Sequence, residues 1–100
     1  MSQRPLILEP EAEADLLDAY LWYEKQRAGL GEEFIACAEA AFDRVTATPE
    51  QFAKSYKEVR QTLVKRFPYV VCFLIEPNEI AVIAVFHGHR DPAGWRSQLK

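Results

Sequence analysis

Two histidines, an arginine, an aspartate and a tryptophan fall within the run His87-Gly88-His89-Arg90-Asp91-Pro92-Ala93-Gly94-Trp95. Imidazole titrates near neutral pH and suits general acid–base work. Guanidinium binds carboxylates and carbonyls through charge-assisted hydrogen bonds. His87 therefore reads either as a general acid or as a structural histidine bonded to a backbone group or a carboxylate. His89 falls in a turn and is expected to be exposed. His-x-His without further ligands is a weak zinc signal, so no metal and no cofactor is expected. Asp91 has the chemistry of a helix N-cap, which leaves Arg90 to point into a groove. Trp95 reads as an anchor for the C-terminal turn or as part of an interface, where tryptophan is enriched.

Four other side chains qualify as contact residues. Arg60 and Arg66 share parity in one apparent strand, so both are expected on one sheet face, ready for an acidic partner or merely solvated. Leu17, Tyr20, Trp22 and Tyr23 make the first helix apolar nearly all round. A core needs only one stripe, so Trp22 and Tyr23 are candidates for a binding surface, against the alternative of packing at the helix–sheet junction.

The elements that must position these groups follow from periodicity. Residues 80–86, Ile-Ala-Val-Ile-Ala-Val-Phe, run apolar straight into His87, as a buried strand does. A brief strand at Leu6-Ile7-Leu8 stops at Pro10, which fits the first turn of a helix. Glu11, Glu13 and Asp15 suit the positive end of that helix, expected to run to about Arg27. Ala28-Gly29-Leu30-Gly31 breaks it, both glycines permitting positive φ, with Leu30 as a buried plug. A second helix is expected from about Glu32, with Phe34, Ile35, Ala38, Ala41, Phe42 and Val45 as its stripe, ending at Thr48-Pro49. Residues 50–58 read as a polar connector anchored by Phe52 and Tyr56. Strands are expected over 59–67, 70–76 and 80–87, with turns at Phe67-Pro68-Tyr69 and Pro77-Asn78-Glu79. Asp91-Pro92 opens a last helical turn. The fold class is α+β: a helical hairpin packed on a mainly antiparallel sheet in the order β-α-α-β-β-β, with a short C-terminal helical turn.

With 100 residues, no repeats and no linker, the chain is expected to be one domain over 1–100. No run approaches the ~20 apolar residues that a bilayer requires, and no export signal opens the chain, so no membrane contact is expected and the cytoplasm is the consistent compartment. Cys37 and Cys72 lack C-x-x-C spacing and read as small core residues rather than a disulfide or metal site. Residues 1–58 carry twelve acids and six bases, residues 59–100 three acids and six bases. The whole nevertheless has a net charge of −3 and a pI near 5.4, against a protein that grips nucleic-acid phosphates.

Asp15-Leu16, Tyr23, Gln26, Gly29-Leu30-Gly31, Phe34, Pro49, Phe52, Arg60, Phe67-Pro68-Tyr69, His87, Arg90-Asp91-Pro92 and Trp95 occur in this order over about residues 6–95. In that arrangement the chain resembles the RelE/ParE toxin superfamily of type II toxin–antitoxin systems, and more closely its ParE, plasmid-stabilisation branch. The resemblance implies a toxin held in a hetero-oligomer by a cognate ParD-like antitoxin, with DNA gyrase as its target and no direct nucleic-acid binding. It implies a binder rather than an enzyme. RelE-like members instead cut messenger RNA on the ribosome, which needs a base, a cation and an acid around the scissile phosphate. They place an arginine early in the third strand, where this chain has Val70. Messenger cleavage is thus the alternative, followed by a non-toxic homologue that only binds antitoxin and regulates transcription.

Overall fold

A computed structural model describes residues 4–90 and 93–99. Its elements are β1 (Leu6–Leu8), α1 (Pro10–Gln26), α2 (Leu30–Ala47), a 3-10 turn (Pro49–Gln51), β2 (Lys54–Tyr56), β3 (Val59–Val64), β4 (Tyr69–Ile75), β5 (Ile80–His87) and a C-terminal 3-10 turn (Gly94–Gln98). The sheet order is β1-β5-β4-β3-β2. β1 lies parallel to β5, and every other neighbour is antiparallel. Among the described residues no helix is long and apolar enough to cross a membrane.

The helical stripes meet the sheet as their spacing requires. Ala12, Leu16, Ala19 and Tyr23 from α1 and Phe34, Ala38, Ala41 and Val45 from α2 are buried against Val64, Tyr69, Val71, Phe73, Ile80, Val82 and Val85. Four alanines along the two stripes let both helices lie close to the strands. Because strand side chains alternate between faces, Cys72 in β4 belongs to a second cluster on the other face, with Val59, Ile83, Ala84 and Trp95. The C-terminal turn covers that face. The sheet is thus buried on both sides at its centre, which is why β4 and β5 are nearly continuous apolar runs.

The loop between the helices differs from expectation. α2 begins at Leu30, two residues earlier than expected, and only Gly29 has positive φ, at 91°. Gly31 is instead a helical residue at a close approach. A Cβ there would lie 2.6 Å from the Tyr20 carbonyl oxygen and 2.7 Å from Glu24 Cγ. Leu30 is half-buried rather than plugged. Glu24 Oε1 accepts the Gly29 N–H at 3.0 Å and the Gly31 N–H at 2.8 Å, satisfying two N–H groups at the start of α2.

The polar connector also holds more structure than its composition suggests. It contains the 3-10 turn and the edge strand β2, so the sheet has five strands rather than four. Lys54 and Ser55 are exposed, and the strand pairs with β3 only at Lys54–Arg60 and Tyr56–Val59, across a register shift, which leaves no alternating apolar signature. β3 stops at Val64, and Arg66 follows in a turn with φ 74°. Arg60 and Arg66 therefore do not share a sheet face, because the strand parity that would align them ends before Arg66.

Candidate functional site

β5 is wider than its partner on one side. β1 pairs only with Ile80–Val82, leaving the rest of β5 without a neighbouring strand there. The β4–β5 register steps from Cys72 opposite Ala84 to Phe73 opposite Val82, so Ile83 is the extra residue of a bulge. Side chains take the place of the missing strand. Asp15 Oδ2 accepts the Val85 N–H at 3.0 Å, and Gln98 Nε2 donates to the Ile83 carbonyl at 2.9 Å and to Asp15 Oδ2 at 3.3 Å. Burial holds the Asp15 carboxyl above the ordinary carboxylate range; the bonds from Val85 and Gln98 oppose that rise, and the charges of Asp18 and Glu11 add to it.

This seam floors a groove of about 430 Å³ between α1, the end of β5 and the C-terminal turn, open to solvent and lined by Asp15, Asp18, Trp22, Tyr69, His87, Arg90 and Trp95. Arg90 is the central cation. Its Nη2 donates to the Tyr69 hydroxyl at 3.1 Å, and its guanidinium carbon stands 5.6 Å from the centre of the Trp22 ring. Trp22 itself is 46% exposed. His87 Nδ1 accepts the backbone N–H groups of His89 at 3.1 Å and Arg90 at 3.2 Å. Partial burial, then the charges of Arg90 and His89, hold the His87 imidazole below its ordinary pKa.

The groove thus gathers four of the eight residues singled out by sequence: Trp22, His87, Arg90 and Trp95. Trp95, only 3% exposed, is wedged between Phe86, stacked at 6.1 Å, and Tyr56, edge-on at 5.8 Å. His89 is exposed beside His87. Tyr23 is no surface residue: at 8% exposure it packs among Phe34, Phe67 and Tyr69. Trp22 next to it takes the outer position because consecutive helical residues lie about 100° apart. Arg60 points the other way, donating to the Phe52 carbonyl at 2.6 Å and the Glu50 carbonyl at 3.2 Å, and so ties the connector to β3. Arg66 pairs with Glu33 of α2 at 3.0 Å. The proposed cap Asp91, with Pro92, lies outside the described residues.

Asp15, Asp18, Tyr69 and Gln98 line the groove as well, without having been expected there from the sequence. One signal was present for Asp15, an acid three residues after buried Ala12 and four before buried Ala19. An acid on a buried stripe needs a partner. Gln98 and Tyr69 carry no comparable mark.

Chemically, the groove presents an oriented guanidinium on an aromatic platform, with two carboxylates behind it. His87 Nδ1 is engaged by backbone, so it offers no free base on that nitrogen. Among the described residues no group of three or more His, Cys, Asp or Glu side chains could hold a metal ion. Cys37 and Cys72 are free, and burial pushes the Cys72 thiol up to about 12. Val70 lies on β4, half-buried against the second cluster.

The family model described as "ParE toxin of type II toxin-antitoxin system, parDE" matches residues 6–92. Among solved structures, a chain of the "Chromosomal ParDE TA system from P. aeruginosa" is 20% identical with a TM-score of 0.66, covering 85% of this chain and 96% of that one. That likeness is one of fold. No curated protein matches the chain.

Proposed function

This chain belongs to the family of ParE toxins of type II toxin–antitoxin systems, and we propose that it acts in the cytoplasm by binding, inhibiting DNA gyrase until a cognate ParD-like antitoxin covers it. The observation that carries the reading is Arg90, held by the Tyr69 hydroxyl and laid over an exposed Trp22. An arginine over tryptophan, already ordered, loses little freedom on engaging a partner, and both residue types dominate protein–protein hot spots. The neighbouring solved chain comes from a ParDE system, which supports an antitoxin partner of the same kind.

Binding rather than catalysis is favoured by what surrounds Arg90. Cleavage at a phosphate needs a base, a cation and an acid converging on one point. In the groove the imidazole nitrogen nearest Arg90 already accepts two backbone N–H groups. Aliphatic Val70 stands where the RelE-like pattern puts an arginine.

The test is to add the purified chain to a gyrase supercoiling reaction and, separately, to induce it in growing bacteria while following message integrity. Loss of supercoiling with messages intact is expected. Rapid message cleavage with gyrase untouched would replace this reading with the nuclease one. Unimpeded growth with antitoxin binding retained would point to a regulatory homologue.

A further inference from the structure

The turn that carries Arg90 is closed by a titratable group. One acceptor atom, His87 Nδ1, faces the N–H groups two and three residues ahead, at 3.1 and 3.2 Å. This is the geometry of an Asx turn, with imidazole in place of the side-chain carbonyl. Only the neutral tautomer with its hydrogen on Nε2 can accept there. On the far side the turn is pinned by the Gly88 N–H, which donates to the Pro68 carbonyl at 2.9 Å. Tyr69 links both ends of the device: its ring meets the His87 ring edge-on at 5.3 Å, and its hydroxyl accepts from Arg90.

We propose that His87 is the positioning residue of Arg90: its unprotonated Nδ1 closes the turn that lays the guanidinium over Trp22, and a proton on that nitrogen releases it. Protonation turns the acceptor into a donor aimed at two donors, so both bonds are lost together. The cations of its own turn add to that effect. Arg90 and His89 of its own turn repel an imidazolium. β4 offers only the Tyr69 ring, and the C-terminal turn offers Gly94, Trp95 and Gln98 to the shared groove. From α1, Asp15 and Asp18 line that groove, but no described residue forms an ion pair with His87. Acidification through the imidazole range therefore loosens the Arg90 surface and leaves the two cores intact.

The placement is tested on the free chain by nitrogen-15 NMR, titrated from about pH 8 to about pH 5. The His87 ring should be the Nε2–H tautomer at the upper end. The His89 and Arg90 amide signals and the Trp22 indole signal should move with the same midpoint as the His87 ring. In His87→Asn, whose side-chain oxygen can accept in the same place without titrating, those three signals should stay near the wild-type high-pH positions throughout. In His87→Ala they should match the acidified wild type at every pH. Amide and indole signals that ignore the His87 titration, or that are unchanged in His87→Ala, would overturn the proposal; should His87→Ala fail to fold, the flat profile of His87→Asn decides alone. The consequence for binding rests on the reading of Arg90 as a contact residue. Gyrase binding by wild type should weaken progressively as pH falls from about 7 to about 5, by less than about tenfold at pH 5.5 because the imidazole is held below its ordinary pKa, while His87→Asn holds its affinity. If the NMR titration behaves as stated but gyrase binding does not follow it, the turn stands and the contact role of Arg90 falls.

Discussion

The Asp15 carboxylate and the Val85 backbone N–H meet at 3.0 Å, joining α1 to the unpaired half of β5. The bond does for the sheet what a sixth strand would otherwise do, with a side chain in place of a backbone carbonyl. It also brings α1, and with it Trp22, to the end of β5 where Arg90 emerges. The cost is a partly buried carboxylate.

Asp15→Ala should destabilise the chain by about 1–3 kcal/mol, since it leaves the Val85 N–H without its acceptor and takes from the Gln98 amide one of its two. Asp15→Asn keeps an acceptor oxygen and sheds the buried charge, so denaturant melts at neutral pH should place it within about 1 kcal/mol of wild type. The pH slope separates the two forms further. A carboxyl whose folded pKa lies above the ordinary 3.8 binds more protons folded than unfolded, so its contribution falls as pH rises from 3.8 through the raised value. Wild type should lose stability relative to Asp15→Asn across that window, and parallel curves would contradict the burial argument.

Gly31 and Gly29 should respond differently to alanine although they are two residues apart. A Cβ at Gly31 meets the Tyr20 backbone oxygen at 2.6 Å, so the helices must part or tilt. Overpacking of this kind costs about 1–3 kcal/mol. At Gly29 nothing lies within 4 Å, and the penalty is only that of φ 91° for a residue with a side chain, about 1 kcal/mol. Thermal melts should rank wild type, Gly29→Ala and Gly31→Ala in falling order.

Arg60→Ala and Arg90→Ala should fail in different assays. Arg60 donates to two carbonyls of the connector, so its loss should lower stability by about 1–3 kcal/mol. Arg90 is exposed and bonded to one hydroxyl, so Arg90→Ala should fold normally and lose gyrase inhibition by roughly tenfold or more. Circular-dichroism melts beside supercoiling assays would separate these effects; a poorly folding Arg90→Ala would mark it as structural.

Thiol labelling of the native chain should stop at Cys37. Cys72 is fully buried, with its thiol pushed up to about 12, so thiolate is scarce at about pH 8. Cys37 is half-buried on α2. One thiol should react quickly in buffer and the second only on unfolding; equal rates would mean that the second core opens readily.

What could be read in the chain beforehand follows the reach of each interaction. The stripes Ala12-Leu16-Ala19-Tyr23 and Phe34-Ala38-Ala41-Val45 declare themselves by helical period, and β4 and β5 by unbroken apolarity, so the helical hairpin on a sheet was legible. β2 was not, because an exposed edge pairs by backbone groups that every residue owns. The positive φ of Arg66 is set by the turn around it, not by its own chemistry. The site was half legible: a strand running into His87 and Arg90 marks its end. That Trp22, some seventy positions earlier, lies beneath Arg90 is a product of packing. Tyr23 misled because helical phase alone, not residue type, separates it from Trp22.

The parallel seam between β1 and β5 also sets a timetable. Leu6 leaves the ribosome early, yet its partner is Ile80, and the remaining edge of β5 waits for Gln98. Synthesis runs from the N-terminus at ~5–20 residues per second, and contacts between distant parts of a chain form only once both have emerged. The helical hairpin is free to form during translation, while the groove that holds Arg90 is completed among the last events. A ribosome still making the chain therefore carries no finished groove, and a partner that recognises it can meet it only after Gln98 is clear of the exit tunnel.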